Sequence, residues 1–212
     1  MPALSSASFV RKETKLAYDV VWPQHLRGLS LVELLVVLAI FAVLLGIGVP
    51  SLHNYVASSR LSSAASEFFA ALNFARSEAM RRQARVVIAH NGVAHSRDWT
   101  AGWRMFVDTN ANDQLDAGEE IIRQGGALAP PLTLFGSASF ANTIGFDSSG
   151  RLTHAGGGSF VLCYGPVLVA DGQARSRAVI VNVSGRVRIA LDTDGDRVPE
   201  LDSGPVPNCH NA

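Results

Sequence analysis

Residues 28–50 read Gly28-Leu-Ser-Leu-Val-Glu33-Leu-Leu-Val-Val-Leu-Ala-Ile-Phe-Ala-Val-Leu-Leu-Gly-Ile-Gly-Val-Pro50. The stretch is a nearly continuous apolar run with one carboxylate, Glu33, five residues after the glycine. As a helix, residues 29–49 would span about 30 Å, which is the thickness of the hydrocarbon layer of a membrane. An acid at the centre of such a span costs about 2.5–3.5 kcal/mol. Glu33 therefore predicts a partner that offsets this cost.

Two ordinary interpretations of the apolar run compete on the residues alone. A cleaved secretory signal would have a basic amino-terminal region, which Arg11, Lys12, Lys15 and Arg27 supply. A plain membrane anchor would explain the length of the run. Neither interpretation explains why an acid lies within the apolar stretch, or why a helical pattern continues beyond Pro50.

The sequence from Gly28 to Leu35 resembles the class III leader junction of type IV pilins and type II secretion pseudopilins. This resemblance implies that a prepilin peptidase cuts between Gly28 and Leu29 on the cytoplasmic side, and that the same enzyme class then N-methylates Leu29. Leu29 stands where the family usually has phenylalanine. Pro50 lies where family members commonly carry a proline that breaks or bends the helix.

The resemblance also implies a role for Glu33. Family subunits wait in the inner membrane and then stack their apolar helices into a filament core with the help of an inner-membrane assembly platform. Glu33 would face the methylated amine of Leu29 of a neighbouring pilin, since a buried carboxylate is tolerated only when it is paired. The alternative is that the Glu33 side chain reaches the lipid headgroups from the end of the helix.

The charge pattern and the resemblance together predict the layout of the chain. Residues 1–28 are a basic cytoplasmic leader, 29–50 the transmembrane part of the helix, 51–84 its amphipathic half, and 85–212 a periplasmic β-rich domain with a carboxyl-terminal tail. The predicted fold class is α+β. It is a pilin-like lollipop, in which one long amino-terminal helix packs on an antiparallel β-sheet domain.

Periodicity predicts the elements of the domain. Apolar residues alternate in steps of four and three on one helix face, namely Leu61, Ala65, Phe68, Leu72, Ala75 and Ala79, and the helix should end near Gln83. Short β-rich runs separated by turn residues predict strands at 85–90, 102–107, 119–124, 132–135, 143–146, 159–164, 177–183 and 186–191. Ser184-Gly185 predicts a hairpin between the last two.

The two cysteines, Cys163 and Cys209, follow the apolar run and would lie in the oxidising periplasm. A Cys163–Cys209 disulfide is one expectation, and two free thiols are the alternative. The loop that the disulfide would close is long enough to contribute about 4 kcal/mol on the chain-entropy argument.

The stretch from Gly102 to Glu119 resembles the H-type minor pseudopilins of type II secretion and the FimT-type minor pilins. In that group a Gly-Trp strand leads into a polar turn rich in Asp and Asn, and then into a Gly-Glu strand. The resemblance implies a minor subunit, placed at or near the tip of a secretion pseudopilus or type IV pilus, that supports protein secretion or pilus assembly.

Two polar segments have the residue types of a calcium site, although no cofactor is the main expectation. Side-chain oxygens at EF-hand-like spacing come from Asp108, Asn110, Asn112, Asp116 and Glu119. Asp113 replaces the glycine that such a loop needs, and predicted strands flank it. A second acidic cluster contains Asp192, Asp194 and Asp196, with Glu200 and Asp202 following. The alternative for both segments is solvated turn chemistry.

Gly185-Arg186-Val187-Arg188 matches a Gly-Arg-x-Arg element through which some FimT-type minor pilins take up DNA. Arg186 and Arg188 are therefore candidates for nucleic-acid contacts, but the acids between Asp192 and Asp202 follow directly. The zero net charge also excludes a strongly basic nucleic-acid-binding domain. The histidines are scattered and no catalytic motif is present, so the chain is predicted not to be an enzyme.

Overall fold

The computed structural model describes residues 30–210, apart from the side chains of residues 47–51. The predicted leader 1–28, including the cleavage site at Gly28 and Leu29, lies outside the described residues. The predicted span 29–49 and the side chain of Pro50 lie partly or wholly outside them as well. Within the described part of the chain, no helical stretch is both long enough and apolar enough to cross a membrane.

One helix, α1 (Leu31–Arg82), opens the described structure. The helix runs through Pro50 without interruption and ends one residue before the predicted end at Gln83. Gln83 has a left-handed φ of 53°, and its side-chain amide donates to the carbonyl of Met80 at 2.7 Å. A residue in this conformation commonly ends a helix, because it turns the chain away from the helix axis.

The described chain divides between Leu45 and Gly46 into two compact units, which are described separately. In the second unit, the predicted helix face is buried in the core along its whole length: Leu61, Ala65, Phe68, Leu72, Ala75 and Ala79. Half of these side chains are alanines, which let the helix backbone approach the sheets closely. The expected amphipathic packing is therefore confirmed.

Strands follow the helix in the described chain, with one 3-10 turn (Ala138–Phe140) among them. They are β1 (Val86–His90), β2 (Trp103–Val107), β3 (Ile121–Gly125), β4 (Leu132–Gly136), β5 (Thr143–Phe146), β6 (Gly158–Tyr164), β7 (Val169–Ala170), β8 (Gln173–Ala174), β9 (Ser176–Val181), β10 (Val187–Ile189), β11 (Glu200–Leu201) and β12 (Gly204–Pro205).

The strands form two four-stranded antiparallel sheets and two small ribbons. The first sheet has the order β3-β2-β1-β5 and the second the order β10-β9-β6-β4. The ribbons pair β7 with β8 and β11 with β12. The long helix packed on antiparallel sheet confirms the predicted α+β class, and each of the eight predicted strands is present.

An aromatic cluster joins the helix to the sheets. The ring of Phe68 on α1 meets Phe160 of β6 edge-on, with ring centroids 4.8 Å apart, and meets Trp99 at 5.9 Å. Phe140 stacks on Phe160, and its carbonyl accepts a hydrogen bond of 3.0 Å from the indole nitrogen of Trp99. Such edge-on pairs contribute about 0.5–1.5 kcal/mol each beyond the area that they bury.

The turn between β9 and β10 packs directly against the helix and the turn before Leu152. Gly185 has a φ of +75°, and a Cβ at this position would overlap the carbonyl oxygen of Gly150. Arg76 on α1 donates to that same oxygen at 2.8 Å. The predicted Ser184-Gly185 hairpin is thus confirmed, and the glycine is needed for close approach as well as for its φ.

We expect Gly185→Ala to destabilise the protein by about 1–3 kcal/mol more than Gly195→Ala. Gly195 has a comparable φ of +87° but has no atom near its Cβ position, so it is the matched control for the backbone conformation alone. Equilibrium unfolding in urea, followed by circular dichroism, measures the difference. Equal destabilisation by the two substitutions would contradict the close packing of this turn.

Ion pairs fasten the end of the helix to the segment before β3. Glu78 accepts hydrogen bonds from Arg81 at 2.6 and 2.9 Å and from Arg82 at 2.7 Å. Arg82 also donates to both carboxylate oxygens of Glu120, at 2.7 and 2.9 Å. The hydrogen bonds from Arg81 and then Arg82 lower the pKa of Glu78 from 4.5 to about 2.

Because the pKa of Glu78 is lowered in the folded state, its contribution to stability is present above pH 4.5 and is lost as the pH falls towards about 2. We expect wild type to be more stable than Glu78→Gln near neutral pH, and this advantage to disappear across that window. Urea unfolding at a series of pH values measures it. Glu67→Gln on the same helix is the control, since the exposed Glu67 makes no ion pair with any described residue. An equal pH-dependent difference for Glu67→Gln would show that the ion pairs of Glu78 are not its source.

Candidate functional site

The first turn of α1 contains the predicted assembly residue Glu33. Its backbone nitrogen donates to the hydroxyl of Ser30 at 3.1 Å, and the nitrogen of Leu34 donates to the carbonyl of Ser30. Ser30 is therefore the amino-terminal cap of the helix. The Glu33 side chain is exposed and makes no hydrogen bond or ion pair with any residue that the structure describes.

The helix around Glu33 exposes large apolar side chains on all of its faces. They are Leu31, Val32, Leu34, Leu35, Val36, Val37, Leu38, Ile40, Phe41, Val43, Leu44 and Leu45. An apolar surface of this extent is unusual on a soluble monomer and marks a site of interaction with protein or membrane. The acid thus lies at one end of a surface that the first unit itself does not cover.

The acidic side chains of the polar turn after β2 accept hydrogen bonds from N–H groups of the same chain. Asp108 is buried, and its carboxylate lies 3.0 Å from Nε of Arg85. The same carboxylate accepts the backbone N–H groups of Asn112 and Asp113 at 3.2 and 3.1 Å. Asp108 therefore holds the turn against Arg85, which lies in the link between α1 and β1.

The other predicted ligands of this turn are engaged in the same way. Asp116 accepts the side-chain amides of Asn110 and Asn112, both at 2.7 Å. Glu119 accepts the backbone N–H groups of Asp116 and Thr109, and these bonds lower its pKa. The side-chain oxygens at EF-hand-like spacing thus accept hydrogen bonds from within the turn. Within the described structure, three carboxylates of this turn do not come together in one cluster.

The second acidic segment does bring carboxylates together. Oxygen atoms of Asp192, Asp194, Asp196 and Glu200 all lie within 4.8 Å of one another. Asp192 accepts the backbone N–H of Gly195 at 2.7 Å, which closes the turn. Calcium binding stays a prediction for both segments, and calorimetric titration of calcium chloride into the protein tests it.

The two arginines of the Gly-Arg-x-Arg element have different surroundings. Arg188 on β10 pairs with Asp202, whose carboxylate lies beyond the acidic cluster in sequence. Arg186 is exposed in the turn, and its backbone nitrogen donates to Asn182 at 3.0 Å. Because an acid compensates Arg188, the element presents one uncompensated cation rather than two.

Cys163 and Cys209 form a disulfide in the structure. Cys163 lies on β6, and Cys209 near the end of the described chain, and both are buried in a small second core with Val161, Ile180 and Val206. This core lies on the face of the second sheet away from α1, because Phe160 and Leu162 of the same strand contribute to the main core. The bridge therefore ties the carboxyl-terminal segment to the outer face of that sheet.

The model of the family described as type II transport protein GspH matches residues 64–185, more than half of the chain. The chain belongs to this GspH family. The model of the prokaryotic N-terminal methylation motif matches residues 25–49, which include Gly28, Leu29 and Glu33.

Relatives of this GspH-family chain are pilin-like proteins. It is 33% identical over 174 residues to the pilin-like protein PilA1 of Thermus thermophilus, covering 77% of this chain and 97% of the relative. Its fold is similar to the crystal structure of the type IV minor pilin FimU of Pseudomonas aeruginosa PAO1, with a TM-score of 0.54 and 23% identity over 73% of this chain and 98% of FimU. The predicted membership in the pilin and pseudopilin group is confirmed.

The structure brings some predicted site residues together and leaves others apart. The cysteines meet, the carboxylates at 192–196 converge, and those of the first polar turn do not. Sequence reasoning missed the capping role of Ser30, although Ser30 followed by Glu33 has the spacing of a capping box.

We expect the double substitution Cys163→Ala/Cys209→Ala to lower the free energy of unfolding by about 4 kcal/mol, because it opens a loop with a sequence separation of 46 residues. Urea unfolding without reductant measures the loss. Wild type treated with dithiothreitol should show a similar loss, since the same loop opens with no residue changed. Stability of the double variant equal to that of oxidised wild type would contradict a structural role for the bridge.

Proposed function

We propose that this protein is a minor subunit of a filament of the pilin class, either a type II secretion pseudopilus or a type IV pilus. The observation that carries the proposal is the apolar helix surface from Leu31 to Leu45, which lies exposed and bears one acid, Glu33, without a partner among the described residues. A surface of this kind needs either lipid or the helices of neighbouring subunits around it. Membership in the GspH family and the N-terminal methylation motif support the same proposal.

Before assembly, the subunit is held in the inner membrane by the apolar part of its helix, with the carboxyl-terminal domain in the periplasm. The basic residues of the leader favour this orientation, because positive segments stay cytoplasmic. A prepilin peptidase then cuts between Gly28 and Leu29 and methylates the new amino terminus. The methylation motif at residues 25–49 supports this step.

In the filament, Glu33 pairs with the methylated amine of Leu29 of a neighbouring subunit. The pair offsets the cost of burying each charge among apolar helices, and removal of one partner from such a pair typically costs about 3–5 kcal/mol. The absence of any ion pair to Glu33 within the described residues supports this role, since the carboxylate is left for a group of another molecule. The β-rich domain then contacts neighbouring domains and determines the place of the subunit, at or near the tip.

We expect Glu33→Leu to enter the membrane and be processed normally, but to be lost from assembled filaments, because the amine of the neighbour stays buried without a partner. Cell fractionation and amino-terminal sequencing check insertion and cleavage, and the amount of protein in sheared filaments checks assembly. Glu33→Asp, which keeps the charge, should assemble far better than Glu33→Leu.

Two outcomes would overturn the proposal at different points. Wild-type amounts of Glu33→Leu in filaments would refute the pairing of Glu33. An amino terminus located downstream of residue 49 would refute the whole filament role, since no apolar helix would remain.

A deletion strain separates the systems that this subunit could serve. Loss of exoprotein release indicates the secretion pseudopilus, and loss of twitching indicates the type IV pilus. Loss of DNA uptake alone, reproduced by Arg186→Ala/Arg188→Ala, would favour a DNA-binding minor pilin. The pairing of Arg188 with Asp202 argues against this last alternative.

A further inference from the structure

A hydrogen bond at the end of β1 joins a buried histidine to the backbone of the loop that follows. The backbone nitrogen of Gly92 donates to Nδ1 of His90 at 3.0 Å. For Nδ1 to accept this bond, the ring must be neutral and carry its own proton on Nε2. His90 is buried, with its ring centroid 5.5 Å from that of Trp99, so packing fixes the ring. The basic nitrogen of His90 is therefore held against the N–H group of Gly92.

The close approach to His90 requires a glycine at position 92. A Cβ there would lie 2.7 Å from the carbonyl oxygen of Asp98 and 3.1 Å from Nδ1 of His90. A side chain would therefore push the backbone away from the histidine, whereas glycine lets the backbone come close. The same packing places a residue without a side chain directly after Asn91.

Asn91 is held by its backbone and not by its side chain. Its backbone nitrogen donates to the carbonyl of Gly102 at 2.8 Å. The residue is exposed, and its side-chain amide makes no hydrogen bond with any residue that the structure describes. The side chain is thus free to turn its amide carbon, Cγ, towards the backbone nitrogen of Gly92. In the full sequence, no other asparagine precedes a glycine.

We propose that Asn91-Gly92 is a site of self-modification, at which His90 acts as the base for deamidation of Asn91. Nδ1 of His90 takes the proton of the Gly92 N–H group, and the Gly92 nitrogen attacks Cγ of Asn91. The new N–Cγ bond closes a cyclic imide. The bond from Cγ to the side-chain nitrogen breaks, and this nitrogen leaves as ammonia with the proton that His90 returns.

Water completes the reaction. It opens the imide at either carbonyl, which gives aspartate or isoaspartate at position 91. Water is the only co-reactant, and His90 ends in the neutral form in which it began. Isoaspartate adds one methylene to the backbone between residue 91 and Gly92, which moves Gly92 away from His90. The site does not depend on the filament role proposed above.

A purely structural hydrogen bond would have the opposite effect on Asn91. A bonded and fixed N–H group would make Asn91 react more slowly in the folded protein than in a free peptide of the same sequence, where no histidine is fixed. A positioned general base typically accelerates a reaction by about 10²–10⁴-fold. The direction of the difference between protein and peptide therefore distinguishes the two roles.

The experiment follows Asn91 in the full chain, held in non-ionic detergent micelles at neutral pH. Trypsin releases residues 86–97 as one peptide, because Arg85 and Arg97 define its ends, and Asn91 is its only asparagine. Liquid chromatography with mass spectrometry separates the asparagine, aspartate and isoaspartate forms. We expect Asn91 to be lost about tenfold or more faster from the folded protein than from the synthetic peptide 86–97.

Two matched variants assign the effect to His90. His90→Phe keeps an aromatic ring beside Trp99 but removes the base, and it should lose Asn91 no faster than the peptide does. His95→Phe makes the same change at an exposed histidine of the same tryptic peptide, and it should react as wild type.

A rate in the folded wild type that is no higher than the rate in the peptide would overturn the proposal. An undiminished rate in His90→Phe, with folding checked by circular dichroism, would also overturn it. The comparison of wild type with the peptide needs no variant, so it decides the matter even where His90→Phe does not fold.

Discussion

The contact of Phe68 with Trp99 and Phe160 is the interaction on which the second unit depends. It joins a residue of the helix, a residue of the loop before β2 and a residue of β6 in one buried cluster. The two sheets share no strand, so each must find its packing partner in the helix and in this cluster. The alanines on either side of Phe68 allow this, because larger side chains there would push the helix away from the sheets.

The two ends of α1 differ in how their apolar side chains are covered. From Leu61 to Ala79, its apolar side chains occupy one face and are buried by the sheets of the same chain. From Leu31 to Leu45, they occupy every face and nothing in their own unit covers them. Burial of apolar area contributes about 25 cal/mol per Å² wherever the covering atoms come from. The apolar side chains of the first unit can therefore gain this burial energy only if lipid or other molecules cover them.

Much of the fold follows from the sequence because its signals are local. The helix face repeats every three to four residues, and each four-stranded sheet is built from runs of Val, Ile and Phe between turn residues, so both could be predicted. The β7–β8 ribbon was missed, although Asp171-Gly172 between its strands is a strong hairpin signal and both residues have positive φ. Two-residue strands carry too little apolar pattern to indicate pairing. At the candidate site, the position of Glu33 in an apolar helix was evident, whereas the pairing of Arg188 with Asp202 depends on the path of the carboxyl-terminal segment and leaves no local pattern.

Many charged side chains in the described structure are paired with groups of the same chain. Glu78, Asp108, Asp116 and Glu119 each accept hydrogen bonds from groups of the chain itself, and Arg82, Arg85 and Arg188 each meet a carboxylate. A charge that is left alone in apolar surroundings costs free energy there. Glu33 is left in this way on an apolar helix surface.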